Sequence, residues 1–127
     1  MTQTEKIQLT LPAGAQYEEV AQTTIAHLAI RRGFTLKEVE DLRLIMAETT
    51  KLLLGSSKDN ESLHLSYEVS KEQLKLEAHL EEFEEHPLPV RDLEHFTEIV
   101  GDLLDSFVID NGNHHICLTK LRLDTES

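Results

Sequence analysis

The sequence has little of what exported or membrane-spanning proteins usually need. Its one cysteine is Cys117, so no disulfide can form within the chain. No apolar run approaches the roughly 20 residues that a transmembrane helix requires. The first ten residues, MTQTEKIQLT, lack the basic and then apolar pattern of a secretory signal. These absences lead us to expect a cytoplasmic protein without a membrane segment.

Basic residues are also scarce. Twelve Lys and Arg stand against 24 Asp and Glu, which gives a formal net charge of −12. Because neutralisation of phosphates by Lys and Arg supplies much of the energy of nucleic-acid binding, we expect no direct nucleic-acid partner. An acidic surface favours a basic protein partner through electrostatic steering. The alternative role of such a surface is to keep the protein in solution.

The chain has the size and composition of one globular domain. It contains 127 residues, of which 39% are hydrophobic, and this length allows a single hydrophobic core. No repeat or linker divides the sequence. We therefore expect residues 1–127 to form one domain.

The stretch from Thr35 to Gly55 is the strongest helix prediction. Thr35 and Glu38 have the spacing of a capping box, in which each side chain binds a free backbone N–H at the helix start. Gly55 is placed to end the helix. Apolar residues recur at steps of three and four on one face, which must be core: Val39, Leu42, Ile45, Met46, Thr49 and Leu53.

Alternation and periodicity place the other elements around this helix. A strand is predicted at 6–11 and a helix at 16–32, ended by Gly33. Strands are predicted at 63–69 and 74–80, a third helix from a cap at Asp92 to about Leu104, and strands at 107–109 and 115–123 joined at Asn111-Gly112. This order predicts a two-layer α/β sandwich, with a mixed, mainly antiparallel sheet and three helices on one face.

Several polar residues could in principle bind a metal, act in catalysis or dock a partner, but their sequence spacing gives little support for these roles. Four histidines, His79, His86, His114 and His115, do not have the clustered spacing of a structural zinc site, and neighbouring strand residues point to opposite faces. We therefore interpret them as solvated and expect no metal site. Cys117 has no identifiable activating base, which argues against a catalytic thiol. The acidic run 77–85 is either a docking surface or a solvated loop.

The element order, the second-helix phrase EVEDLRLIMAETTKLLL and the closing ICLTK resemble the RsbW/SpoIIAB group of bacterial anti-sigma factors. The resemblance extends from about Ile7 to Leu123 and is closest to the actinobacterial branch, whose members often have eroded nucleotide motifs. Proteins of this group are serine kinases with the Bergerat-like (GHKL) nucleotide-binding fold of histidine kinases and Hsp90. The resemblance implies that fold, with ATP and Mg²⁺ as the ancestral ligands.

Most of the nucleotide-binding residues of the group are absent here. Glu48 matches a glutamate that orients or deprotonates the attacking hydroxyl. The Mg²⁺-binding asparagine falls on Leu52, which offers no oxygen ligand. The aspartate that reads adenine falls at about Leu80, and the first following glycine falls on Glu82.

Charge and bulk replace the rest of the phosphate site in the resemblance. Residues 81–85 contribute four carboxylates, which have the wrong sign for phosphate. The glycine-rich start of the third helix is replaced by Glu94, His95 and Phe96, which block access to bare backbone N–H groups. We therefore expect that ATP and Mg²⁺ no longer bind, that no other cofactor is needed, and that Glu48 is catalytic only if ATP binds.

The resemblance also implies the partners. In the group, the exposed side of the first helix and nearby loops, at a dimer surface, bind the sigma factor and an antagonist protein. An arginine of that surface corresponds to Glu19 here. The candidate partner-binding residues are Tyr17, Glu18, Glu19, Gln22, Arg31 and Arg32. We expect a homodimer that sequesters a sigma factor and is relieved by the antagonist. The alternatives are an active serine kinase that phosphorylates the antagonist, or a pseudokinase scaffold unrelated to sigma factors.

Overall fold

The computed structural model describes residues 4–54, 61–81, 89–110 and 115–122. Within these ranges the chain forms five strands and three α-helices. The elements are β1 (Glu5–Pro12), α1 (Glu18–Arg31), α2 (Leu36–Leu54), β2 (Ser62–Val69), β3 (Gln73–Glu81), α3 (Val90–Val100), β4 (Ser106–Asp110) and β5 (His115–Leu121). Short 3₁₀ turns precede α1 at Ala15–Tyr17 and follow α3 at Gly101–Leu103.

The strands form one sheet in the order β1-β2-β3-β5-β4. Each neighbouring pair is antiparallel. The predicted two-layer α/β sandwich with three helices is confirmed. The prediction allowed for a mixed sheet, but the described strands include no parallel pair, because every hydrogen-bonded neighbour runs in the opposite direction.

Alternation along the strands separates a buried face from a wet one. On β2, Leu63, Leu65, Tyr67 and Val69 are almost completely buried, and the residues between them are half-buried. The inward residues of β3 and β5 continue the same face and form the core with the helices. Because successive strand residues point to opposite sides, the other face carries the polar half of each strand.

The predicted capping box begins α2. The backbone N–H of Thr35 donates to Glu38 Oε1 at 2.7 Å, and the backbone N–H of Glu38 donates to Thr35 Oγ1 at 3.1 Å. The predicted apolar face of this helix is buried throughout. Gly55, the predicted end of the helix, lies outside the described residues, and α2 is described as far as Leu54.

The end of α1 shows why Gly33 is needed there. Gly33 has φ of +83°, a left-handed conformation that glycine adopts without steric cost. Its N–H donates to the carbonyl of Ile30, and the N–H of Phe34 donates to the carbonyl of Ala29. This is a Schellman motif, with buried Phe34 packed at the turn into α2.

The third helix differs from the prediction at both ends. Its N-cap is Pro89, so Asp92 lies in the first turn instead of capping the helix. The helix ends at Val100, and Leu103 and Leu104 belong to the following 3₁₀ turn and an extended segment. The Asn111-Gly112 turn and Leu123 lie outside the described residues, although β4 and β5 pair as the predicted hairpin requires.

None of the helices in the described parts of the chain is long and apolar enough to cross a membrane.

Candidate functional site

A cleft of about 170 Å³ lies between α2 and α3. Each helix contributes three residues at positions i, i+3 and i+4, the spacing that puts side chains on one face. The lining residues are Glu48, Lys51 and Leu52 from α2, and Asp92, His95 and Phe96 from α3. The cleft is therefore formed where one face of α2 meets one face of α3.

The floor of the cleft is apolar. Leu52 is 7% exposed and Phe96 is 2% exposed. The ring of Phe96 packs edge-to-face on Phe107 of β4, with 6.3 Å between the ring centroids. Phe96 is thus part of the core, and neither floor residue offers an oxygen to a hard cation.

The rim of the cleft carries charge of both signs. Glu48, whose side chain is 8% exposed, accepts a hydrogen bond from Lys51 Nζ at 3.3 Å. Asp92 lies in the first turn of α3, where the helix dipole favours negative charge. A phosphate approaching this helix end would meet a carboxylate already in that position, which is unfavourable.

The cleft contains several of the residues singled out from the sequence. Glu48, Leu52, His95 and Phe96 lie together in it, whereas Glu94 is exposed on α3. Leu80, which the resemblance aligned with the adenine-reading aspartate to within about a residue, is buried among the inward residues of β3. Of the predicted acidic block, Glu81 is exposed at the end of β3, and Glu82, Glu84 and Glu85 lie outside the described residues.

Two cleft residues, Lys51 and Asp92, were missed in the sequence. Lys51 follows Glu48 by three residues on α2, and Asp92 precedes His95 by three on α3. The helical spacing itself was the available signal. Asp92 was instead interpreted as a cap, because the start of α3 was predicted three residues too late.

The candidate partner-binding residues lie at opposite ends of α1. Tyr17, Glu18, Glu19 and Gln22 lie at or near its start, and Arg31 and Arg32 lie at its end, about 20 Å away along the axis. The structure therefore does not bring the six residues into one compact patch.

The two arginines at the end of α1 differ in exposure. Arg32 forms an ion pair with Glu5 of β1. Its Nη2 and Nε lie 2.7 and 3.0 Å from Glu5 Oε1, and its side chain is 15% exposed. Arg31 lies 3.8 Å from the same carboxylate but is 56% exposed. Arg31 is therefore the more accessible of the pair.

Strand pairing brings together His79 and His115, which lie far apart in the sequence, and His64, which was not among the histidines considered for a metal site. His64 faces His79 across β2 and β3, and His79 faces His115 across β3 and β5. His86 and His114 lie outside the described residues. As the side chains stand, no group of three or more His, Cys, Asp or Glu in the described ranges is arranged to hold a metal ion. Sequence spacing could not reveal this row, because it depends on register between distant strands.

Cys117 lies on the same polar face of the sheet, between buried Ile116 and Leu118. Burial raises the pKa of its thiol, an effect that Lys75 opposes and Glu77 reinforces. The thiolate, which is the nucleophile, is therefore disfavoured.

No known family model matches the sequence. The chain is similar to the serine-protein kinase RsbW of Halalkalibacterium halodurans, with 25% identity over 75 residues. The aligned part covers 58% of this chain and 46% of that kinase, so the chain spans less than half the length of the relative. The match supports an RsbW-like relationship in coarse terms, in agreement with the resemblance of the element order.

Proposed function

We propose that this protein is an anti-sigma regulatory protein of the RsbW type that has lost ATP binding and kinase activity. It sequesters a sigma factor in the cytoplasm by direct binding, and an antagonist protein releases the sigma factor by competition. The similarity to RsbW and the two-layer fold support the class of protein. The observation that carries the loss of nucleotide is the apolar floor formed by Leu52 and Phe96.

The cleft is a poor receptor for Mg·ATP on three grounds. Its volume of about 170 Å³ is below the roughly 300 Å³ at which small-molecule pockets begin. Leu52 removes the oxygen that Mg²⁺ would need. Asp92 places a negative charge in the first turn of α3, which disfavours a phosphate at that helix end. On this proposal the protein needs neither ATP nor another cofactor.

Without a phosphate donor, regulation depends on binding equilibria alone. The antagonist releases the sigma factor when the ratio of its free concentration to its dissociation constant exceeds the same ratio for the sigma factor. The exposed side of α1 is the proposed contact surface, with Glu19 and Arg31 as its accessible charges. The net charge of −12 favours a basic segment on the partner. As in the group, the working unit is proposed to be a homodimer.

The function is tested by capture of partners from the native host. The tagged chain is used as bait in extracts treated with apyrase and EDTA, which remove nucleotide and Mg²⁺. We expect a sigma factor to be recovered equally before and after this treatment, and to be displaced by the antagonist. Glu19→Arg tests the α1 surface, with Glu40→Arg on the exposed side of α2 as the matched control. Failure to recover any sigma factor contradicts the proposal, and recovery of a different switch protein favours the scaffold alternative.

An active serine kinase is the second candidate, favoured by the name of the relative and by the position of Glu48 in the cleft. It predicts transfer of the γ-phosphate of ATP to a serine of the antagonist. That transfer should be lost in Glu48→Ala and kept in Glu40→Ala, because Glu40 is exposed outside the cleft. The leading proposal predicts no transfer by the unmodified protein.

A further inference from the structure

One end of the molecule is basic, although the protein as a whole is acidic. The end of α1 meets the start of β1 there, since Arg32 Nη2 lies 2.7 Å from Glu5 Oε1. The end of β5 meets the turn between β2 and β3, because the backbone N–H of Arg122 donates to the carbonyl of Glu72 at 2.7 Å. Arg122 Nη1 also lies 3.7 Å from the position that a Cβ on Gly33 would occupy. Segments distant in sequence thus bring their cations together.

Arg122 is held in place by the backbone of the turn between β2 and β3. Its Nε donates to the carbonyl of Lys71, and this bond uses neither of its Nη groups. Within the described ranges, no carboxylate forms an ion pair with Arg122 or Lys71. A guanidinium that is already oriented can bind a carboxylate through two parallel hydrogen bonds and loses little freedom in doing so. The Nη groups of Arg122 can therefore accept a further anionic partner.

The two arginines at the end of α1 share one carboxylate. Arg32 contacts Glu5 Oε1, and Arg31 lies 3.8 Å from Glu5 Oε2 with 56% of its side chain exposed. This basic end has four cations and two carboxylates: Arg31, Arg32, Lys71, Arg122, Glu5 and Glu72. The adjoining pair of Lys37 and Asp41, 3.1 Å apart, is neutral. Because the whole sequence has 12 cations and 24 carboxylates, the sign of the charge is reversed locally.

Two exposed aliphatic side chains border the basic end. Ile30 is 61% exposed and Leu36 is 74% exposed, one on each side of the turn between α1 and α2. Removal of such apolar surface from water favours association. A partner that carries apolar side chains beside its carboxylates can contact both the cations and these two residues.

We propose that the basic end binds an acidic segment of a partner protein, in which carboxylates alternate with apolar side chains. The carboxylates pair with Arg31, Lys71 and the Nη groups of Arg122, and an apolar side chain covers Ile30 and Leu36. The proposal assigns a partner chemistry to this end of the molecule, and it holds whether the partner is a sigma factor, an antagonist or another protein.

Charge complementarity favours a short acidic segment over an extended polyanion. At about 0.15 M salt, interactions between exposed charges are largely screened beyond roughly 8 Å. A short segment therefore interacts with the basic end alone. A DNA duplex or an anionic lipid surface also meets the surrounding surface of a protein whose net charge is −12, and that contact is repulsive.

The surface is tested by NMR titration of the isotope-labelled full chain with a capped peptide that repeats Glu-Glu-Leu, at about 0.15 M ionic strength. We expect the backbone amide signals of residues 30–37, 71–72 and 121–122 to shift, with a dissociation constant of about 1 mM or tighter. A peptide that repeats Glu-Glu-Ser should bind more weakly, and one that repeats Lys-Lys-Leu should leave these signals unchanged.

Charge reversal tests the cations. Arg31→Glu combined with Lys71→Glu should weaken binding by about tenfold or more, because like charges then face each other. The matched control combines Arg43→Glu with Arg91→Glu, which changes the net charge equally at exposed positions of α2 and α3, and it should bind almost like the unmodified protein. Far-UV circular dichroism checks that each variant remains folded.

Two further variants test the fork and the apolar border. Arg122→Lys should weaken binding although it keeps the charge, because the paired Nη groups are lost. Leu36→Ser should also weaken binding, whereas Leu44→Ser, at an exposed position farther along α2, should not.

Several outcomes overturn the proposal. One is the absence of shifts at the basic end with millimolar peptide, and another is an equal loss of affinity in the charge-matched control. Binding of a DNA duplex or of phosphatidylserine vesicles by the basic end, in place of the peptide, contradicts the choice of a protein partner. Asp124 and Glu126 lie outside the described residues; peptide binding that appears only after Asp124→Asn with Glu126→Gln means that the chain's own acidic residues compete for this end, and it also overturns the proposal. None of these outcomes depends on whether the protein binds a sigma factor or a nucleotide.

Discussion

The two faces of the sheet are made from the same strands but have opposite chemistry. Toward the helices, β2 presents Leu63, Leu65, Tyr67 and Val69, each at most 2% exposed. Away from the helices, the residues between them are polar and half-buried. A register shift of one residue would exchange the two sets. The buried face thus fixes the register, and the register in turn aligns the histidines of the polar face.

The largest expected effect on the free energy of unfolding comes from comparing two neighbouring residues of β2, one on each face of the sheet. Leu65→Ala should lower the free energy of unfolding by about 2–5 kcal/mol, because it removes buried methyl groups and leaves a cavity. Ser66→Ala, one residue along β2 on the polar face, should change it by less than about 0.5 kcal/mol. Urea denaturation measures both. Similar losses in the two variants would contradict the assignment of the faces.

The next effect concerns the one phenol of the buried face. The Tyr67 hydroxyl donates to the carbonyl of Ala21 at 3.1 Å and lies 3.7 Å from Met46 Sδ. Tyr67→Phe should cost about 1 kcal/mol, since it leaves the carbonyl without this donor. Tyr17→Phe, at the half-buried start of α1, is the control and should cost less.

Burial also raises the pKa of Tyr67. The phenol of the unfolded chain ionises near pH 10, whereas the buried phenol stays neutral to a higher pH. The free energy of unfolding should therefore decline as the pH rises above about 10. Denaturation of the unmodified protein and of Tyr67→Phe at alkaline pH should show a smaller decline in the variant. An equal decline would mean that Tyr67 is not the titrating group.

A similar but more local effect is expected at the start of α2, the helix whose apolar stripe is buried against the core. Thr35→Ala should lower the free energy of unfolding by about 1 kcal/mol, because the backbone N–H of Glu38 loses the Thr35 hydroxyl that accepts its hydrogen bond. Thr23→Ala, on the exposed side of α1, provides the matched control. Thermal and urea denaturation that leave the two variants equally stable would rule out a stabilising cap.

The smallest effect is expected at the rim of the cleft. Lys51 is 68% exposed and pairs with Glu48 at 3.3 Å, and exposed ion pairs contribute little because water screens them. Lys51→Gln should therefore change the free energy of unfolding by less than about 0.5 kcal/mol, as measured by urea denaturation. A much larger loss would show that the carboxylate of Glu48 depends on this lysine.

The features that were predicted from the sequence are those encoded by neighbouring residues. Alternation over 63–69 and 74–80, and the Thr35–Glu38 spacing, each operate within a few residues, and the structure has these strands and this cap. The start of α3 was misplaced because Asp92 suits both a cap and a first turn, and its position depends on Pro89.

The features that could not be predicted depend on contacts between distant residues. His64, His79 and His115 meet only because three strands pair in one register, and no spacing within the chain encodes that row. The cleft likewise requires the faces of α2 and α3 to meet, which brings Asp92 to the same place as Glu48. The resemblance pointed to Glu48, Leu52, His95 and Phe96 of the cleft, but not to Lys51 and Asp92.

The loss of nucleotide binding is tested most directly by calorimetric titration of the purified protein with Mg·ATP and Mg·ADP. Glu48→Ala serves as the control for binding in the cleft, and Leu52→Asn as the variant that restores an oxygen ligand. We predict no detectable heat and no thermal shift with the unmodified protein, which leaves partner exchange as its mode of action. Micromolar binding that Glu48→Ala weakens would contradict this account and make the kinase the leading function.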